Sequence, residues 1–94
     1  MKLRFECDGR YEAEKLAALV SVQKDDSNYV AGVAAVVGNE IVIKLKDKSS
    51  HAVVMKDGDN VARLKALLDG LEKEAAVIVG SDYSGAVAEI TIKD

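Results

Sequence analysis

Ninety-four residues are one domain's worth of chain, and 49% of them are hydrophobic with only three Tyr and one Phe as aromatics, so the core must be built from Val, Ile, Leu and Ala. A formal net charge of −3, from 13 Lys and Arg against 16 Asp and Glu, argues against a duplex-binding protein, which needs a basic patch. The single Cys7 excludes an internal disulfide and suits a reducing compartment. With no bilayer-length apolar run and no signal-peptide pattern, the expected location is cytoplasmic and no membrane partner is expected.

Leu3, Phe5 and Cys7 alternate with Arg4, Glu6 and Asp8, the period of a half-buried strand. Asp8-Gly9 is a turn pair. From about Arg10 the period changes: Ala13, Leu16, Ala17 and Val20 form one face of a helix, with Leu19 on its flank. The polar run Lys24-Asp25-Asp26-Ser27-Asn28 is expected to end it. Residues 29–37, nearly all apolar, predict a strand buried on both faces. Gly38-Asn39 suits a type II′ hairpin turn, in which Gly takes positive φ. The return strand, residues 40–46, puts Ile41, Ile43 and Leu45 inward and Glu40, Val42, Lys44 and Lys46 outward.

Residues 47–50 then join onto a strand over residues 51–56 and the turn Asp57-Gly58. Asp59 or Asn60 is expected to cap the next helix by accepting a backbone N–H. Val61, Leu64, Leu67, Leu68 and Leu71 give that helix its stripe, and it should run to about Lys73 despite Gly70. A strand over 76–79, a loop over 80–85 and a last strand over 86–93 follow, the last with Ala88, Ile90 and Ile92 inward.

The two halves resemble each other. Glu40-Ile41-Val42-Ile43-Lys44 returns as Glu89-Ile90-Thr91-Ile92-Lys93, and a shift of 49 positions gives eleven ungapped identities over residues 2–45. The reading is a tandem βαββ repeat, residues 1–49 and 50–94, within a single domain 1–94. Units this small bury too little surface alone, so the halves should share one core. The fold class expected is α+β: one mostly antiparallel six-stranded sheet, two helices packed on one face, and a pseudo-twofold axis. The lack of proline, the repeat and the Lys/Glu/Ala-rich helices would also suit a designed or idealised protein without natural function. Cys7 and the irregular 25–28 segment argue for a natural one.

The sheet face left open by the helices is the candidate interaction surface. The 49-residue shift places His51, Val53 and Met55 where the first copy has Lys2, Arg4 and Glu6. Together with Val42 and Val87 these form a partly apolar patch, bordered by Lys44, Lys46, Glu89 and Lys93, for a homo-oligomer or a protein partner. Gly80-Ser81-Asp82-Tyr83-Ser84-Gly85 is the most ligand-like stretch, with Ser81, Tyr83 and Ser84 as contact residues. It leads into a strand and lacks the Lys-Ser/Thr of a nucleotide loop.

No catalytic residue is assigned, since no acid/base pair or nucleophile with its base is visible. Cys7 faces the core by alternation and reads as structural. His51 alone cannot make a zinc site, and Asp57-Gly58-Asp59-Asn60 reads as a turn and cap rather than a calcium loop. No metal and no cofactor is expected. Lys44, Lys46 and Lys48 recur every second residue and read as edge-protecting or solubilising charges rather than phosphate ligands, so nucleic acid is not an expected partner.

The first half, from Phe5-Glu6-Cys7-Asp8 through Glu12-Ala13-Glu14 to Gly38-Asn39-Glu40-Ile41-Val42-Ile43, resembles the small dimerising subunit of the KEOPS tRNA-modification complex. In that family the strand, helix and Gly-Asn hairpin lead directly into a final helix, whereas here the strand over 51–56 intervenes. Repeated strand-helix-strand units are also similar to sliding-clamp domains, a likeness of fold alone. From the residues themselves the expected function is a non-catalytic interaction or assembly module, with a small-ligand-binding domain as the alternative.

Overall fold

The computed structural model describes residues 1–21, 23–24 and 27–94, and these are α+β, with two helices and two three-stranded antiparallel sheets beside a minimal two-stranded one. In chain order the elements are β1 (Lys2–Glu6), α1 (Arg10–Ser21), β2 (Gln23–Lys24), β3 (Ser27–Asn28), β4 (Val30–Val37), β5 (Glu40–Leu45), β6 (Ser50–Val54), α2 (Gly58–Glu72), β7 (Ile78–Ser84) and β8 (Val87–Ile92). Of the polar run expected to end α1, Asp25 and Asp26 lie outside the described residues. Sheet one has the order β1-β8-β7 and sheet two the order β4-β5-β6. Helix α1 packs on β7 and β8, helix α2 on β4.

The apolar periods place the core where alternation and helical spacing put it. Ala13, Leu16, Ala17 and Val20 of α1 are buried, as are Val61, Leu64, Leu67, Leu68 and Leu71 of α2. Ile41, Ile43 and Leu45 of β5, and Ala88, Ile90 and Ile92 of β8, close the cluster from the sheets. The β4–β5 and β7–β8 hairpins each turn on a glycine at the first central position, Gly38 with φ 59 and Gly85 with φ 56. A side chain there would be strained, which makes Gly the residue this turn needs.

The expected single six-stranded sheet is split. β1 and β6 meet only where their C-terminal ends cross, at the Cys7–Met55 bridge. That bridge is flanked by the Asp8 N–H on the Val54 carbonyl and the Lys56 N–H on the Glu6 carbonyl, both at 3.0 Å. One residue further back the helices intervene. The Glu6 N–H donates to Asn60 Oδ1 at 2.9 Å, the Arg63 guanidinium donates to the Arg4 carbonyl at 2.8 Å, and the Val54 N–H donates to Glu12 Oε1 at 3.2 Å. A backbone N–H satisfied by a side chain has no need of a strand partner, so β1 and β6 diverge.

Three further expectations are corrected. The Gly80–Gly85 loop is instead the body of β7, paired residue by residue with β8 as far as Ser84–Val87. β4 is buried only in its first half, at Val30 and Gly32, while residues 34–37 are exposed. An unbroken apolar run has no period, so nothing in it says where the cover ends. Helix α2 is capped by Asp57, whose extended backbone (φ −158) lets its carboxylate accept the Asn60 N–H at 3.0 Å. Asn60, 4% exposed, is thereby left to bond β1.

Candidate functional site

The open face of sheet two follows from its register. Ile41 and Ile43 are fully buried and Leu45 nearly so, so alternation turns Glu40, Val42 and Lys44 to the other side. Their partners across β6 are Val54, Ala52 and Ser50, and Val37 and Ala35 of β4 pair with Glu40 and Val42. The outer face therefore carries Ala35, Val37, Val42, Ala52 and Val54 as one apolar stretch. Val37 is 69% exposed, and its neighbour Val36, beyond the covered part of β4, is 41% exposed. Glu40 and Lys44 stand on either side of Val42. Neither side chain has an ion-pair or hydrogen-bond partner among the described residues.

Of the residues expected on this surface, Val42 is there, half-buried in the middle of the face. Val53 and Met55 are not: both are wholly buried and belong to the core. His51, half-buried, pairs with Ile43 and so shares the inner side of the sheet. The cause is a one-residue slip. The 49-residue shift matches Arg4 to Val53, yet Val53 is buried like Phe5 and Met55 is buried like Cys7, with which it bridges, and both pairs lie 48 apart. A strand displaced by one residue presents every side chain to the opposite face. Ala52 and Val54 are the outward residues that the 49-residue shift hid.

Val87 is half-buried on the outer face of sheet one, opposite Ser84. That face is polar and internally neutralised: Glu89 sits 3.2 Å from Arg4 Nε and 3.6 Å from Lys2 Nζ. A hollow of about 280 Å³ lies here, lined by Arg4, Asp82, Tyr83, Ser84, Val87 and Glu89. It takes in Tyr83 and Ser84 but not Ser81, whose hydroxyl donates to the Ala17 carbonyl of α1 at 2.7 Å. The Tyr83 ring lies under the Arg10 guanidinium at 6.0 Å.

Cys7 is 3% exposed, its Sγ 4.0 Å from Met55 Sδ. Burial, and behind it the Glu12 carboxylate, push its thiol up to about 11, the reverse of what a nucleophilic cysteine needs. A second polar group lies at the β5–β6 turn. His51 Nε2 is 3.0 Å from Ser49 Oγ, and Ser49 donates both its hydroxyl and its backbone N–H to Asp47. These bonds hold the Asp47 carboxyl below its usual range. The single hydroxyl proton of Ser49 is thus committed to Asp47, so His51 is the donor to Ser49. That is the wrong direction for activating a serine, whose base must receive its proton, and the group instead fastens the turn in which Lys48 takes φ 74.

β5 lies between β4 and β6, so Lys44 does not protect an edge, and Lys46 and Lys48 fall beyond the strand. Among the described residues no group of three or more His, Cys, Asp or Glu is placed to hold a metal, and no helix is long and apolar enough to cross a membrane. Comparison with known protein families, with curated proteins and with solved structures finds nothing that matches this chain. The likeness of its first half to the KEOPS subunit therefore has no match behind it.

Proposed function

We propose that this chain is a non-catalytic interaction or assembly module that associates through the outer face of sheet two. The observation that carries the reading is the apolar stretch Ala35, Val37, Val42, Ala52 and Val54 on the outer face, beside two charges that have no partner among the described residues. Exposed apolar surface gathered in one place, rather than scattered, is what interaction sites present. Cytoplasmic placement belongs to the same reading and is supported by the free thiol.

The tandem βαββ repeat with an approximate dyad is also part of this reading. Supporting it, β1 and β6 meet at equivalent ends, and each is fenced by a side chain from the first turns of a helix, Asn60 for β1 and Glu12 for β6. At the far end the Asn28 amide bonds both the Ala76 carbonyl and the Ile78 N–H, and positions 28 and 76 are again 48 apart.

A photo-crosslinking amino acid at position 42, compared with one at position 91 on the outer face of sheet one, tests the site in cell extract. Adducts from position 42 and none from position 91 are expected; equal labelling from both, or none from either, removes the reading. A second reading rests on the hollow that Tyr83 and Ser84 line, as a site for a small polar ligand. A metabolite that raises the melting temperature of the wild type and not of Tyr83→Ala would establish it.

A further inference from the structure

We infer that the partner on the outer face of sheet two is a second copy of this chain, laid across the first with antiparallel strands about a dyad through Val42. This rests on the interaction reading above and adds the identity of the occupant. Glu40 and Lys44 sit two residues to either side of Val42 on the central strand and face outward. They are opposite in charge and equally far from the centre, about 7 Å each at strand rise. Neither is paired within the chain among the described residues.

In a twofold interface each contact occurs twice, residue i on j and j on i. Antiparallel packing places Glu40 of each copy against Lys44 of the other and Val42 against Val42. β4 then lies over β4 and β6 over β6, so Ala35 meets Ala35 and Ala52 meets Ala52, while Val37 and Val54, level with Glu40, face Gly32 and Ser50, which are level with Lys44. Parallel packing would oppose Glu40 to Glu40 and Lys44 to Lys44, so the same two charges that favour one orientation exclude the other. The outer face of sheet one has no such pattern, because its cations are already matched to Glu89. Three strands about 4.8 Å apart and six residues long present a face of only about 14 by 20 Å. That is small for a stable complex, so association in the high micromolar range is expected.

The experiment is sedimentation equilibrium on the full chain, wild type beside Glu40→Lys, Lys44→Glu and the double variant, with thermal melts confirming that each is folded. The wild type dimerises with concentration. Each single variant weakens dimerisation about tenfold or more, because like charges then meet twice. An equimolar mixture of the two single variants associates as a heterodimer, and the double variant recovers the homodimer. A wild type that stays monomeric at millimolar concentration overturns the second-copy inference. So does a dimer indifferent to the charge swaps, or single variants that fail to complement. If crosslinks to other proteins from position 42 persist in those cases, the face is still an interaction site and only its occupant was wrong. A dimer that survives both the charge swaps and Val42→Glu lies elsewhere and removes the face itself.

Discussion

The two three-stranded sheets are built alike and finished differently. Each has a hairpin turned on a positive-φ glycine, a third strand beside the hairpin's return strand (β1 from the far end of the chain in sheet one, the next strand β6 in sheet two), an apolar inner face, and a helix beneath it. On the outside they part. In sheet one Lys2 and Arg4 close onto Glu89, and Asp82 and Ser84 continue the polar surface along β7. In sheet two the last turn of β4 is Ala-Ala-Val-Val, and Glu40 and Lys44 are left apart around Val42. Folding asks only for the inner faces. A difference confined to the outer ones is what the proposed contact through sheet two would require, and folding does not require it.

The most forceful way to break that comparison is at neighbouring positions of β6. Val53→Lys should unfold the protein or cost it about 4 kcal/mol or more, since an unpaired ammonium would be forced into the core. Val54→Lys, one residue on and facing outward opposite Glu40, should change stability by less than about 1 kcal/mol. Urea melts of the two variants would measure the difference. If they are equally stable, the two sides of sheet two have been assigned the wrong way round.

The line where the sheets touch has its own signature in pH. Cys7 keeps its proton in the folded chain up to about 11, whereas an unfolded thiol releases it from about 9. Between those values the folded state holds the extra proton, so stability falls as pH rises through that window and is unaffected below it. Two units correspond to about 3 kcal/mol. Cys7→Ala, whatever its cost at neutral pH, should lack that alkaline slope. A wild type whose melting temperature declines from pH 9 to 11 no faster than the variant's would remove the link.

The fences on either side of that line are predicted to be unequal. Asn60 holds the Glu6 N–H, takes a bond from Arg63 and donates to Asp57, whereas Glu12 holds the Val54 N–H and pairs with Lys15 at 2.8 Å. Asn60→Ala should therefore cost about 2 kcal/mol and Glu12→Ala about 1 kcal/mol, each by stranding a backbone donor. Amide exchange would show where. It should quicken at Glu6 in the first variant and at Val54 in the second.

Much of this frame could be read from residue spacing. Both helical stripes, the inward residues of β5 and β8, and the glycine turn at Gly38 are strong local signals, and the structure has them all. What could not be read was register between the halves. The eleven identities fall at a shift of 49, whereas the buried pairs Phe5 and Val53, and Cys7 and Met55, lie 48 apart, and the turn glycines Gly38 and Gly85 lie 47 apart. In a strand a displacement of one residue exchanges core for surface. The same one-residue sensitivity turns Val53 and Met55 into the core, and the Gly- and Ser-rich 80–85 stretch reads as a loop until β8 pairs its residues 80–84. The fences were invisible for another reason: Glu12 and Asn60 look like ordinary residues of a first helical turn until a strand end arrives beside them.

The smallest effect separates the two outer faces most cleanly. Arg4 is exposed, with a side chain 77% accessible, and its pairing with Glu89 is a surface ion pair. Such pairs contribute about 0.5 kcal/mol or less, so Arg4→Ala should barely lower the urea midpoint and should leave the state of association untouched. Lys44→Ala removes a charge that pairs with nothing among the described residues, so it should lower stability even less, yet it should weaken self-association severalfold. Measured together by melting and sedimentation, the two variants form a crossed pair. One acts on the fold slightly and on association not at all, and the other does the reverse. Should Arg4→Ala be the one that loosens association, the polar face of sheet one is the contact surface and the charges about Val42 are ordinary solvent-facing groups.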